Sequence, residues 1–129
     1  MHSLAAALVF LALLGHQADA AEGRDVSLTL PRALRPGDMA FAEIQLGLLP
    51  RGQEIEVTTV AGRALGVISP YGMRAGQEAG TYTLPIPADA FVDGKVTLRL
   101  FVNYFGHTQR APTTKQVKSV RVKISPKVR

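Results

Sequence analysis

The stretch Val96-Thr97-Leu98-Arg99-Leu100-Phe101-Val102-Asn103 decides the fold, because Val96, Leu98, Leu100 and Val102 alternate with Thr97, Arg99, Phe101 and Asn103. A period of two sends successive side chains to opposite faces of an extended strand, so an apolar set on one face marks that face as buried. The same rhythm recurs on both sides. Val26, Leu28 and Leu30 alternate with Ser27 and Thr29, Ile55 and Val57 with Glu54, Glu56 and Thr58, and Val120, Val122 and Ile124 with Arg121 and Lys123. Tyr82, Leu84 and Ile86 are separated by Thr83 and Pro85, and Leu65, Val67 and Ile68 make a shorter run. Phe41, Ile44 and Leu46 sit among Ala42, Glu43 and Gln45 with a slip in parity after Phe41 that reads as a bulge. These runs amount to about seven strands.

Turn chemistry separates them. Pro36-Gly37-Asp38, Pro50-Arg51-Gly52, Ala61-Gly62-Arg63, Gly76 to Gly80 and Asp93-Gly94 supply the fixed φ of Pro and the permissive φ of Gly. Helix is confined to one turn between Pro87 and Asp93, with Phe91 closing the end of the core. Short strands with frequent turns predict an all-β fold, a small β-sandwich that resembles the immunoglobulin and fibronectin type. The resemblance is one of architecture. The Cys pair and buried Trp of antibody-type domains are absent, so it implies a fold class and gives no residue a role. Pro85 offers no ladder donor, which predicts that its strand lies at a sheet edge.

Ahead of the first strand, an apolar run from Leu4 to Gly15 leads into Ala18-Asp19-Ala20. About a dozen apolar residues are too few to span a bilayer, which takes about 20, but they match the core and cleavage site of an export signal. The n-region, Met1-His2-Ser3, lacks the usual Lys or Arg. Residues 1–20 are therefore read as a cleaved signal peptide and residues 21–129 as a single sandwich domain, exported to the periplasm or secreted. No Cys follows the apolar run to carry a lipid anchor, and no later segment is apolar enough for a transmembrane span.

Composition narrows the classes further. The chain of 129 residues carries 15 Lys and Arg against 10 Asp and Glu, and the leader removes only Asp19 from this balance. The mature domain is basic and has room for one core. With no Cys, the exported fold has no disulfide, and apolar burial between two layers must stabilise it. Thiol chemistry and thiolate metal sites are excluded. Arg121 and Lys123 on the polar face of the last strand, with Lys115, Lys118, Lys127 and Arg129 near them, suit a solvated surface that resists aggregation; a sharper reading is an anion-facing stripe.

Catalytic signals are sparse. His107 is the one histidine left after the leader, and no GxSxG turn accompanies it. Asp89 and Asp93 are too few oxygens for calcium, and Asp93-Gly94 is turn chemistry. Glu54 and Glu56 share the solvent face of one strand, an ordinary surface pair. Gly72-Met73-Arg74-Ala75-Gly76 lacks the GK[ST] of a phosphate loop. No cofactor or metal is called for, and an exported chain is not placed to meet nucleic acid.

Parity along the chain supplies a candidate site. If consecutive strands run antiparallel, the loops at 47–53, 69–79 and 104–116 share one end of the sandwich, and the turns at 31–38, 61–63 and 87–95 share the other. The first group holds Arg51, Tyr71, Met73, Arg74, Tyr104, Phe105, His107 and Arg110. Tyr and Arg are the side chains most enriched at interface hot spots. A competing role for this end is to close the core, with Leu48, Tyr71 and Phe105 as lids, Phe105 turned inward and Tyr104 outward. The sequence thus reads as a non-catalytic binding or accessory domain that recognises another extracytoplasmic protein through one loop end. The alternative is a module for a cell-envelope polysaccharide or anionic surface, held by aromatic and basic residues, against which the absence of Trp counts. An enzyme would need His107 activated by a carboxylate.

Overall fold

Each alternating run becomes a strand in the computed structural model, which describes residues 23–70 and 76–126. The strands are β1 (Arg24–Thr29), β2 (Met39–Leu46), β3 (Gln53–Thr59), β4 (Ala64–Ile68), β5 (Gly80–Ile86), β6 (Lys95–Tyr104) and β7 (Val117–Ser125). A single 3₁₀ turn at Ala88–Ala90 precedes β6, and Phe91 just after it packs against the core. The leader expected over residues 1–20 lies outside the described residues, as do Tyr71, Met73, Arg74, Lys127 and Arg129. Among the described residues no helix is long and apolar enough to cross a membrane.

The strands form two antiparallel sheets, ordered β1-β6-β3-β4 and β5-β2-β7. The fold is all-β and consistent with a sandwich. Strand β6, central in its sheet, sends Val96, Leu98, Leu100 and Val102 into the core and keeps Thr97, Arg99, Phe101 and Asn103 on the outer face. Strand β2 is its counterpart, with Ala40, Ala42, Ile44 and Leu46 buried. Its inward face therefore differs from the expectation. There is no slip of parity after Phe41, which lies on the outer face between Pro85 of β5 and Lys123 of β7. Strict alternation lets β2 keep its ladder with both neighbours, and the small Ala40 and Ala42 take the inward positions. The irregularity is instead on the β7 side, where the pairing shifts between Gln45 and Leu46 and leaves Lys118 as the extra residue.

Among the described residues, β3 and β4, joined through Gly62, are the only consecutive strands that pair with one another; the other connections link strands of different sheets. Pro85 sits on the edge strand β5, as its missing donor requires. On one flank of the sandwich Gly66 of β4 faces Leu84 of β5 so closely that a Cβ would lie 2.9 Å from Leu84 Cδ2. On the other flank Arg24 of β1 donates from Nη1 to the Val117 carbonyl of β7, 3.2 Å away.

Register places the loops. Leu46 is opposite Gly80 and Val117, and Gln53 is opposite Tyr104, so β2 and β6 end where β3, β5 and β7 begin. The connections 47–52, 69–79 and 105–116 leave from this pole, and those at 30–38, 60–63 and 87–94 from the other. At the second pole the Arg35-Pro36-Gly37-Asp38 turn is closed by Asp38 N donating to Arg35 O at 2.9 Å, with Gly37 at φ 88°. Asp38 holds it from the side: its Oδ2 accepts from Arg32 Nη1 at 2.6 Å and from Arg35 N at 2.8 Å, and the side chain is 4% exposed.

These donors, the Arg32 guanidinium first and the Arg35 amide second, hold the Asp38 carboxyl below the usual carboxylate range. A carboxyl depressed by folding contributes stability above its unfolded pKa and loses it as acid protonates the folded form. Asp38→Asn is expected to be less stable than the parent at pH 7, with the gap closing as the pH falls below about 4. Urea unfolding of both proteins across this range checks it.

Candidate functional site

The loop pole is built on Gly47, where β2 ends and three segments cross. Its N–H donates to Gln116 O at 2.9 Å, its carbonyl accepts from Ala79 N at 2.9 Å, and the next amide, Leu48 N, donates to Lys115 O at 3.0 Å. The approach leaves no room for a side chain, since a Cβ on Gly47 would lie 2.1 Å from Lys115 O. One glycine thus binds together the loops that follow β2, β4 and β6.

Two polar networks hold the long connection after β6. In one, the buried Gln116 accepts from Thr113 N at 2.9 Å and from Arg110 Nη1 at 3.3 Å, and donates from Nε2 to Gln53 Oε1 at 3.1 Å. Arg110 Nη2 reaches the same Gln53 oxygen at 3.4 Å, so the start of β3 is fastened to the start of β7. In the other, Glu56 Oε1 accepts from Asn103 Nδ2 at 2.8 Å and from Gln109 Nε2 at 2.9 Å, while Gln109 also reaches Asn103 Oδ1. Between them the backbone of Arg110 pairs with that of Val102, with Val102 N donating to Arg110 O at 2.7 Å.

These ties raise a short turn above the sandwich. His107 N donates to Tyr104 O at 2.9 Å, and Gly106 at φ 81° takes the position that requires a left-handed backbone. The Tyr104 and His107 rings stack with centroids 4.6 Å apart and planes 22° from parallel. Phe105, at the apex, is 98% exposed. Beside it lies an open hollow of about 540 Å³ between Gly52 and Glu54 at the start of β3 and Asn103, Tyr104, His107 and Gln109 at the end of β6 and just beyond it. Glu54 accepts a hydrogen bond from the Ser69 hydroxyl within this wall. Among the described residues no three His, Asp or Glu side chains gather to hold a metal ion.

Of the residues read from the sequence as a site, Tyr104, Phe105 and His107 form one tip. Arg110 stands below them with its guanidinium in the Gln53–Gln116 network, and Arg51 is exposed on the neighbouring turn. Tyr71, Met73 and Arg74 lie outside the described residues. The inward lid expected of Phe105 is not found. Register ends at Tyr104, the turn throws Phe105 outward, and Leu48 is also exposed, at 48%. The core is closed instead by Leu49, Ala79 and Pro112, all buried.

The residues that sequence reasoning missed are the ones that shape the pole: Gly47, Gln53, Glu56, Asn103, Gln109 and Gln116. Only Gly47 carried a signal, as the first glycine after an alternating run. No family model, no curated protein and no solved structure matches this chain.

Gly47→Ala tests whether the loops are held at this crossing. Its Cβ would meet backbone rather than a movable side chain, so a loss of about 2 kcal/mol or more is expected, beyond the ~1 kcal/mol ordinary at a glycine that is merely strained. Urea unfolding measures it, and amide exchange should quicken at Leu48 and Ala79 first.

Proposed function

We propose that this chain is an exported, non-catalytic accessory domain that recognises another extracytoplasmic protein through the pole at which residues 47–52 and 105–116 meet. The observation that carries the reading is Phe105, a large apolar side chain 98% exposed at the apex of a turn that two polar networks hold in place. Burying such a ring contributes about 1.5–3 kcal/mol, which the free protein forgoes and a partner would recover. Because the turn is already fixed, little ordering cost opposes binding. Tyr104 and His107 flank the apex, and Arg51 is exposed on the turn that holds Gly52, giving the mixed aromatic and cationic chemistry of interface hot spots. The stacking of His107 on Tyr104 favours a contact role for that ring over general-base chemistry.

Export rests on the apolar run and the Ala18-Asp19-Ala20 site. We also read the sandwich as a variant of the immunoglobulin type. Its β2–β5 and β3–β6 pairs are the ones that such a domain has, while β1 and β7 have exchanged sheets and β4 has moved beside β3.

Two measurements test the proposal. Mass spectrometry of the protein recovered from the extracytoplasmic fraction should give Ala21 as the first residue; a chain still starting at Met1 would overturn export. A photo-reactive residue in place of Phe105 should cross-link in the native host to one defined protein that itself has an export signal. Phe105→Ala with Tyr104→Ala should abolish co-purification of that protein, while Phe105→Ala alone changes stability by no more than about 0.5 kcal/mol. Retention of the partner by the double variant, or transfer of the cross-link to polysaccharide, would sink the loop-end reading.

A further inference from the structure

We propose that the free edge of β7 pairs by strand addition with an extended, acidic segment of another protein. This surface is distinct from the loop pole and uses other residues. Among the described residues β7 has β2 on one side and no strand on the other, and every second N–H and C=O along it points away from β2. At nine residues it is the longest of the four edge strands. The other edges are less open to pairing: β5 contains Pro85, β4 is five residues long with an irregular register, and β1 has six residues. The bulge at Lys118 and the Arg24 bond to Val117 occupy only the start of β7, leaving Ser119 to Ser125 continuous.

The side chains along this edge specify the occupant. Val120, Val122 and Ile124 point inward but remain only half-buried, whereas their neighbours Ala42 and Ile44 on β2 are fully buried. An added strand with apolar residues at alternate positions would complete that cover. On the outer face of β7 stand Ser119, Arg121, Lys123 and Ser125, with no acidic residue among them. Lys123 is 3.2 Å from Glu43, and the same carboxylate lies beside Arg121 in the ladder, so one anion on β2 faces two cations.

A second copy of this chain is the wrong partner. Antiparallel self-pairing centred on Val122 sets Arg121 against Lys123, and pairing centred on Arg121 sets like against like. The cations therefore oppose self-association and favour a strand whose outward residues are Asp or Glu.

The test uses the processed protein and synthetic peptides of the length of β7. In the first peptide Val alternates with Glu; in the second the same residues are arranged in two blocks. Two further copies of the first are N-methylated at every second backbone nitrogen, one in each phase. By calorimetry the alternating peptide should bind at least about tenfold more tightly than the blocked one, and one methylated phase should lose binding. Arg121→Gln with Lys123→Gln should weaken the alternating peptide at least about tenfold while leaving circular dichroism and the urea midpoint near those of the parent. Amides from Val120 to Ile124 should gain exchange protection in the complex. The proposal is overturned by absence of binding, by equal affinity for the blocked peptide or both methylated phases, or by tighter binding of heparin or of anionic lipid vesicles. Since Tyr104 and Phe105 play no part, the peptide should bind the Phe105→Ala variant unchanged; a loss there would also overturn it.

Discussion

The burial of Leu98 and Leu100 of β6 and of Ile44 and Leu46 of β2 is what the rest of the structure depends on. With no cysteine in the chain, no disulfide clamps the two sheets together, and free energy for the fold comes from the apolar area removed from water between them. Central strands make this possible. Each is flanked on both sides, so its inward residues are covered by neighbours in the same sheet as well as by the facing layer. The edge residues Val26, Leu84 and Val120 are covered less completely and contribute less.

Once the layers are fixed, the ends must be closed without leaving backbone groups unpaired, and the two poles solve this differently. The pole at 30–38 relies on local chemistry, in which a proline-glycine turn is braced by one buried carboxylate. The loop pole relies on residues far apart in sequence. Gln53 and Gln116, 63 positions apart, meet across the gap between the sheets. This closure leaves the pole rigid at its base while freeing the apex of the 105–116 connection from any structural duty, and that is why a phenylalanine can stand there in water.

The strands were legible because a period of two is a strong constraint: wherever apolar and polar residues alternated strictly, as from Val96 to Asn103, the face that was buried followed. The edge position of Pro85 was legible for an equally local reason, the missing N–H. Misreading arose where side-chain size competed with parity. Phe41 looked like a core residue by hydrophobicity, yet the unbroken ladder of β2 required Ala40 and Ala42 to face inward. Phe105 looked like a lid for the same reason, and lost that place to Leu49 and Ala79. The grouping of the loops followed from antiparallel parity, but the clasp at Gly47 and the glutamine networks did not. A glutamine buried by a partner 63 residues away has no periodic signature.

The pairing of β1 with β6 and of β7 with β2 governs how the chain finds its fold. Asp25 meets Arg99 across 74 positions, and apart from β3 and β4 no strand pairs with the one that follows it. Closing such wide loops costs chain entropy before any contact rewards it, so the nucleus is slow to form and little of it is local. A polypeptide emerging from its N-terminus has no lasting place for β1 until β6 has been made. Strand β1 stays unpaired until Lys95 to Leu100 have been added, a delay written into the strand order alone.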